Sequence, residues 1–122
     1  MYGRVLVVAA STFCGIVAVG AAKADHAHHS SAAEVRAALD NATVEGQMPD
    51  GRTYRISYAP EGRAILRVGD MTEAGRWEVD KGGHYCETWP KAFEGKKRCG
   101  GIEVTGPLLI LRGTFRTTRN VV

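Results

Sequence analysis

The side chains with the most reactive chemistry here are three cysteines, four histidines and a scatter of carboxylates, and their spacing decides what each can do. Cys14 sits in an apolar stretch near the start, leaving Cys86 and Cys99 as the pair in the body of the chain. Zinc sites built on two cysteines usually place them about two to four residues apart with further ligands nearby. Cys86 and Cys99 are spaced otherwise and are expected to form a disulfide, which requires an oxidising compartment. A closed loop of this size stabilises a fold by about 3 kcal/mol on the chain-entropy argument.

Three of the four histidines, His26, His28 and His29, fall in the polar run Asp25-His26-Ala27-His28-His29-Ser30. Imidazoles this close are candidates for weak capture of copper or zinc, against the plainer reading of a soluble spacer. No other cofactor is expected. A nucleophilic hydrolase needs a serine or free cysteine served by a histidine, and only His84 lies in the body of the chain. No Gly-x-Ser-x-Gly elbow occurs. Glu78, Asp80 and Glu87 are close in sequence, but alternation along an extended segment reads Glu78 and Asp80 as a solvated face. The expectation is a protein that is not an enzyme.

Two clusters are candidates for binding. Tyr54, Tyr58, Trp77 and Trp89 are placed to line an apolar cup, although so small a domain also needs its aromatics to fill a core. Lys91, Lys96, Lys97 and Arg98 make the segment between the cysteines the most basic stretch, suited to an anionic surface of lipid, polysaccharide or protein.

The elements that position these residues begin after a segment expected to be removed. Val5 to Ala22 carries no charge, Met1 to Arg4 supplies a basic start, and Ala22-Lys23-Ala24 has the small-x-small form of a cleavage site. Residues 1–24 read as a secretory signal peptide cut before Asp25, with Phe13 before Cys14 speaking against a lipid-modified cysteine. No stable membrane span is expected after cleavage, and the product is expected to be periplasmic or secreted. Of the 16 Lys and Arg, Arg4 and Lys23 leave with the signal, so 14 bases face 13 acids. A domain so close to neutral lacks the clustered surplus that nucleic acid demands.

Residues 25–30 form the histidine-rich arm, and 31–41 a short helix over Ala32 to Asp40 opened by the capping-box pattern Ser31-Ala32-Ala33-Glu34. Residues 42–122 form a β domain. Tyr54, Ile56 and Tyr58 alternate with Thr53, Arg55 and Ser57, and Trp77 and Val79 with Arg76, Glu78 and Asp80. Met71 to Ala74 reads as less regular and separate from the strand beginning at Gly75. Leu108 to Leu111 reads as a strand covered on both faces, and Thr114 to Asn120 as a last strand with its arginines outward. The sum is a mainly β fold, an antiparallel meander of about seven or eight short strands forming a small barrel or curved sheet, with one N-terminal helix.

Asp50-Gly51-Arg52, Tyr58-Ala59-Pro60-Glu61-Gly62, Gly75-Arg76-Trp77-Glu78-Val79 and Cys86-Glu87-Thr88-Trp89 with Cys99 following give the chain a likeness over roughly residues 44–104. It resembles an uncharacterised family of small exported bacterial β-proteins. The resemblance implies export and a β fold and brings no catalytic residues with it. The expected function is a non-catalytic binding or interaction module of the bacterial envelope with an unidentified envelope partner. The alternatives are metal binding through the N-terminal histidines and small-ligand binding in an aromatic-lined barrel.

Overall fold

The computed structural model describes residues 29–122, so the segment expected to be a signal peptide, Cys14, His26 and His28 lie outside the described residues. The chain is mainly β. One helix, α1 (Ala32–Leu39), precedes eight strands: β1 (Thr43–Gln47), β2 (Thr53–Ala59), β3 (Arg63–Val68), β4 (Met71–Val79), β5 (His84–Thr88), β6 (Arg98–Thr105), β7 (Leu108–Leu111) and β8 (Thr117–Val121). Each strand pairs antiparallel with the next, and β8 returns to β1 through Val44↔Val121 and Glu45↔Asn120, so the sheet is a closed up-and-down barrel. Closure leaves no edge strand among the described residues.

Period-two alternation sorts the side chains. Tyr54, Ile56, Tyr58, Leu66, Val68, Trp77, Val79, Tyr85, Ile102, Leu109 and Leu111 are buried in one apolar cluster. The outward partners Arg55, Arg67, Arg76, Glu78 and His84 are exposed. Leu109 and Leu111 turn inward while Leu108 and Ile110 are only half-buried, so β7 is fully covered on one face.

Both barrel ends are closed. At one, the capping box is present as the sequence predicts: Ser31 Oγ accepts from the Glu34 amide at 3.2 Å and Glu34 Oε1 accepts from the Ser31 amide at 3.3 Å. Helix α1 then sends Val35 and Leu39 into the core, while Ser30 N donates to Ile102 O at 2.7 Å and Arg36 donates to Val79 O at 2.6 Å. At the other end the β5–β6 connection folds inward. The buried Glu73 carboxylate accepts from the backbone amides of Lys91 and Ala92, and Phe93 meets the Tyr54 ring edge-on at 6.0 Å.

Three features depart from the sequence reading. Strand β4 runs unbroken from Met71 to Val79 through Gly75. That glycine is not a breaker; the Trp89 ring occupies the space a Cβ would need. The last strand is Thr117–Val121, preceded by Arg116, which adopts φ 46°. Its register turns Arg119 inward, where it is 1% exposed, so the expectation that this strand carries its arginines outward is corrected for that residue.

Candidate functional site

Cys86 and Cys99 are bonded, directly opposite each other on β5 and β6 with Cα atoms 4.1 Å apart. Both are half-buried on the outer face, so their neighbours Tyr85 and Glu87 point into the barrel. Glu87 is 1% exposed and takes Arg119 in a two-pronged ion pair, Nη2 to Oε1 at 2.7 Å and Nη1 to Oε2 at 3.0 Å. Arg98 adds a bond to Oε1 at 2.7 Å.

Three phenols complete the cluster. Arg119 Nε donates to Tyr54 Oη at 2.7 Å and Nη1 to Tyr58 Oη at 3.1 Å. Tyr85 donates to Glu87 Oε2 at 2.8 Å, so in the 2.8 Å bond between the two hydroxyls Tyr58 is the donor. A directed chain therefore runs from guanidinium through two hydroxyls to the carboxylate.

The titration behaviour follows from this arrangement. Burial pushes the Tyr58 hydroxyl up to about 12, with Arg119 opposing and Glu87 reinforcing the rise. Burial, Tyr58 and Glu87 likewise push Tyr85 well above the ordinary phenol. For Glu87 burial acts upward, yet Arg119, Tyr85 and Arg98 outweigh it and hold the carboxyl below its usual range. Arg119 is held charged by the groups facing it despite burial. The cluster is an ion pair with neutral phenols around it, a scaffold rather than a proton-transfer pair poised near neutrality.

The sequence-derived candidates distribute as follows. Tyr54, Tyr58, Trp77 and Trp89 come together, but as core: they are 2%, 4%, 7% and 1% exposed. Trp77 Nε1 is committed to the carbonyls of Ala59 and Arg63, both at 3.0 Å. The basic hairpin does not form one patch. Lys96 pairs with Glu94 at 3.3 Å and Lys97 with Glu78 at 2.5 Å, while Arg98 leaves the surface to bind Glu87 and lies 3.7 Å from the Phe93 ring centroid. Lys91 is exposed. His29 is described and lies beside His84, with ring centroids 5.2 Å apart.

A second arrangement lies on the outside of the barrel. On the outer face of β2, β3 and β4, Arg55 stands directly opposite Arg67 and Arg63 directly opposite Arg76. Like charges across strands are destabilising. Arg55 is offset by Glu45 at 2.7 Å and Arg63 by Glu61 at 3.6 Å, whereas Arg67 and Arg76 have no carboxylate at ion-pair distance among the described residues. Ser57, Ile65 and Ala74, paired between the arginines, leave the middle of the face uncharged. Beside it, along β4 and β5, runs an open groove of about 1030 Å³ whose rim mixes Arg36, Arg76 and Lys97 with Asp40, Glu61 and Glu78.

Inward Glu87 was legible in principle, because an outward Cys86 fixes the facing of its neighbours. Arg119 was not, since nothing local separates it from Arg112 and Arg116. The arginine face needs the register of three strands, which no single segment contains.

The chain matches no family model, no curated protein and no solved structure. The motif resemblance therefore assigns no role to any residue.

Proposed function

We propose that this chain is an exported, non-catalytic binding module of the bacterial envelope that holds anionic lipid headgroups on the outer face of β2–β4. The observation that carries the reading is two facing pairs of arginines, Arg55 with Arg67 and Arg63 with Arg76, of which Arg67 and Arg76 lack a carboxylate partner among the described residues. An arrangement that costs stability in isolation becomes favourable when a phosphate lies between two guanidiniums, whose planar forks match its oxygens. The packed interior supports placing recognition outside, because the aromatic residues that would have formed a cup are consumed by the core. The disulfide is compatible with an exported site of action.

The test is co-sedimentation of the oxidised domain, residues 25–122, with vesicles of phosphatidylglycerol or phosphatidylcholine. Retention is expected on the anionic vesicles alone and should fall as the screening length shrinks from about 8 Å at physiological ionic strength to about 3 Å at high salt. Each basic residue near such a surface is worth about 1 kcal/mol, so Arg67→Ala/Arg76→Ala should weaken binding roughly 30-fold. Lys96→Ala/Lys97→Ala, on the hairpin, should leave it nearly unchanged. Equal retention of the Arg67→Ala/Arg76→Ala variant, or none by the unaltered protein, would overturn the reading.

A further inference from the structure

We propose that His29 and His84 form a two-imidazole site for a divalent transition-metal ion, copper(II) or zinc, at the α1 end of the barrel. The site is separate from the arginine face.

Each ring has a neighbour that favours one tautomer. His29 Nε2 lies 2.8 Å from Gly82 O. A carbonyl only accepts, so Nε2 carries the proton and Nδ1 is left with a free lone pair. His84 Nδ1 faces the Asp80 carboxylate at 3.4 Å, an ion-pair contact that favours the proton on Nδ1 and leaves Nε2 available. Asp80 is itself fixed by the His84 amide, which donates to Oδ1 at 2.9 Å. A ring nitrogen bonded to a carbonyl or carboxylate, with the other nitrogen free, is the outer-shell pattern of metal-ligating histidines.

The spacing agrees. Two imidazoles on one tetrahedral ion, with metal–nitrogen distances of about 2.0–2.1 Å, bring their ring centroids about 5 Å apart. The centroids of His29 and His84 are 5.2 Å apart with the planes tilted by 34°. Imidazole is a good ligand for copper and zinc, copper(II) being the stronger binder of the two.

The backbone also seats His29. A Cβ on Gly101 would come within 2.8 Å of the His29 Cβ, and Gly83, at φ +83°, passes close to Ser30 O. Ser30 N donates to Ile102 O and Ser30 Oγ accepts from Val104 N, which anchors the segment along β6. Among the described residues no group of three or more His, Cys, Asp or Glu side chains is arranged to hold a metal, so these residues supply two ligands and leave the other positions to water. An ion so held would tie residue 29 to residue 84 across the end of the barrel.

The experiment uses residues 25–122 with His26→Ala and His28→Ala, which leaves His29 and His84 as the only imidazoles. Calorimetric titration with copper(II), and separately with zinc, should give one ion per chain. The copper complex should show two nitrogen ligands by electron paramagnetic resonance. Adding His84→Ala should weaken binding at least about tenfold, as should His29→Ala. His84 is exposed, and an unchanged circular dichroism spectrum and urea midpoint will show that its variant is folded. Affinity untouched by His84→Ala, or no binding once His26 and His28 are removed, would overturn the proposal. The second outcome would return any metal binding to the arm.

Discussion

Replacing Arg119 by methionine strands a carboxylate in the barrel. The variant loses four hydrogen bonds, to Tyr54, to Tyr58 and to both oxygens of Glu87. Glu87, 1% exposed, is left with Tyr85 and the half-buried Arg98. Removing one member of a buried pair costs about 3–5 kcal/mol, largely from the uncompensated charge left behind. A domain of this size has only about 5–15 kcal/mol in total, so Arg119→Met should forfeit roughly a fifth or more of its stability. Glu87→Met/Arg119→Met removes both charges together, and Arg98 remains stacked on Phe93 and Phe115 with a path to water. Hydrophobic replacement of a whole buried pair is often neutral or better. The double variant should therefore cost less than Arg119→Met alone, with a coupling of about 2 kcal/mol or more. Urea midpoints at neutral pH, compared at constant slope, measure both. Glu87 also sets the acid limb: its folded value lies below its ordinary one, so its contribution is present above that ordinary value and is lost as pH falls through the depressed one. The double variant should lack this part of the acid dependence. The reasoning is refuted if Arg119→Met costs under about 1 kcal/mol, or if the double variant costs the sum of the singles.

The other predictions concern separate parts of the fold. Tyr58 ionises at about 12 in the folded protein against 10.0 when unperturbed, so its contribution of about 3 kcal/mol is intact below pH 10 and lost as pH rises through that window. Phenolate absorbance should appear together with unfolding, and Tyr58→Phe should shift the alkaline midpoint. Cys86→Ala/Cys99→Ala should lower the urea-derived stability by about 3 kcal/mol, and residues 25–122 should contain no titratable thiol. Gly75→Ala should destabilise by about 1–3 kcal/mol, because its methyl group meets the Trp89 ring and the Thr88 carbonyl. Gly51→Ala is the control: it also changes a glycine, at φ +89°, but nothing lies within 4 Å of the added Cβ, so only backbone strain contributes.

The barrel was largely legible because local signals and tertiary structure agree. The Tyr54-Ile56-Tyr58 alternation, the glycine-containing turns and the capping box at Ser31 each specify an element with little help from afar. Misreadings occurred where one residue type serves two physical purposes. Gly75 looks like punctuation and is a site of close approach, and Arg119 looks like a surface arginine and is the centre of a buried network. Binding candidates suffered from the same ambiguity. Trp77 and Trp89 are as suited to a cup as to a core, and Lys96 and Lys97 form a patch only until Glu94 and Glu78 are brought beside them. The arginine face arises from pairing between β2, β3 and β4, a property of register that residue order alone does not display.

Residue-resolved NMR of the oxidised domain, titrated with small phosphatidylglycerol bicelles, tests most directly whether recognition lies on the outside of a closed barrel. The account predicts that amide and guanidinium signals of Arg55, Arg63, Arg67 and Arg76 move in a saturable, salt-sensitive manner while those of Tyr85, Glu87 and Arg119 stay in place. Shifts concentrated in the barrel interior or in the Trp89–Lys97 connection, with the β2–β4 face unmoved, would contradict it.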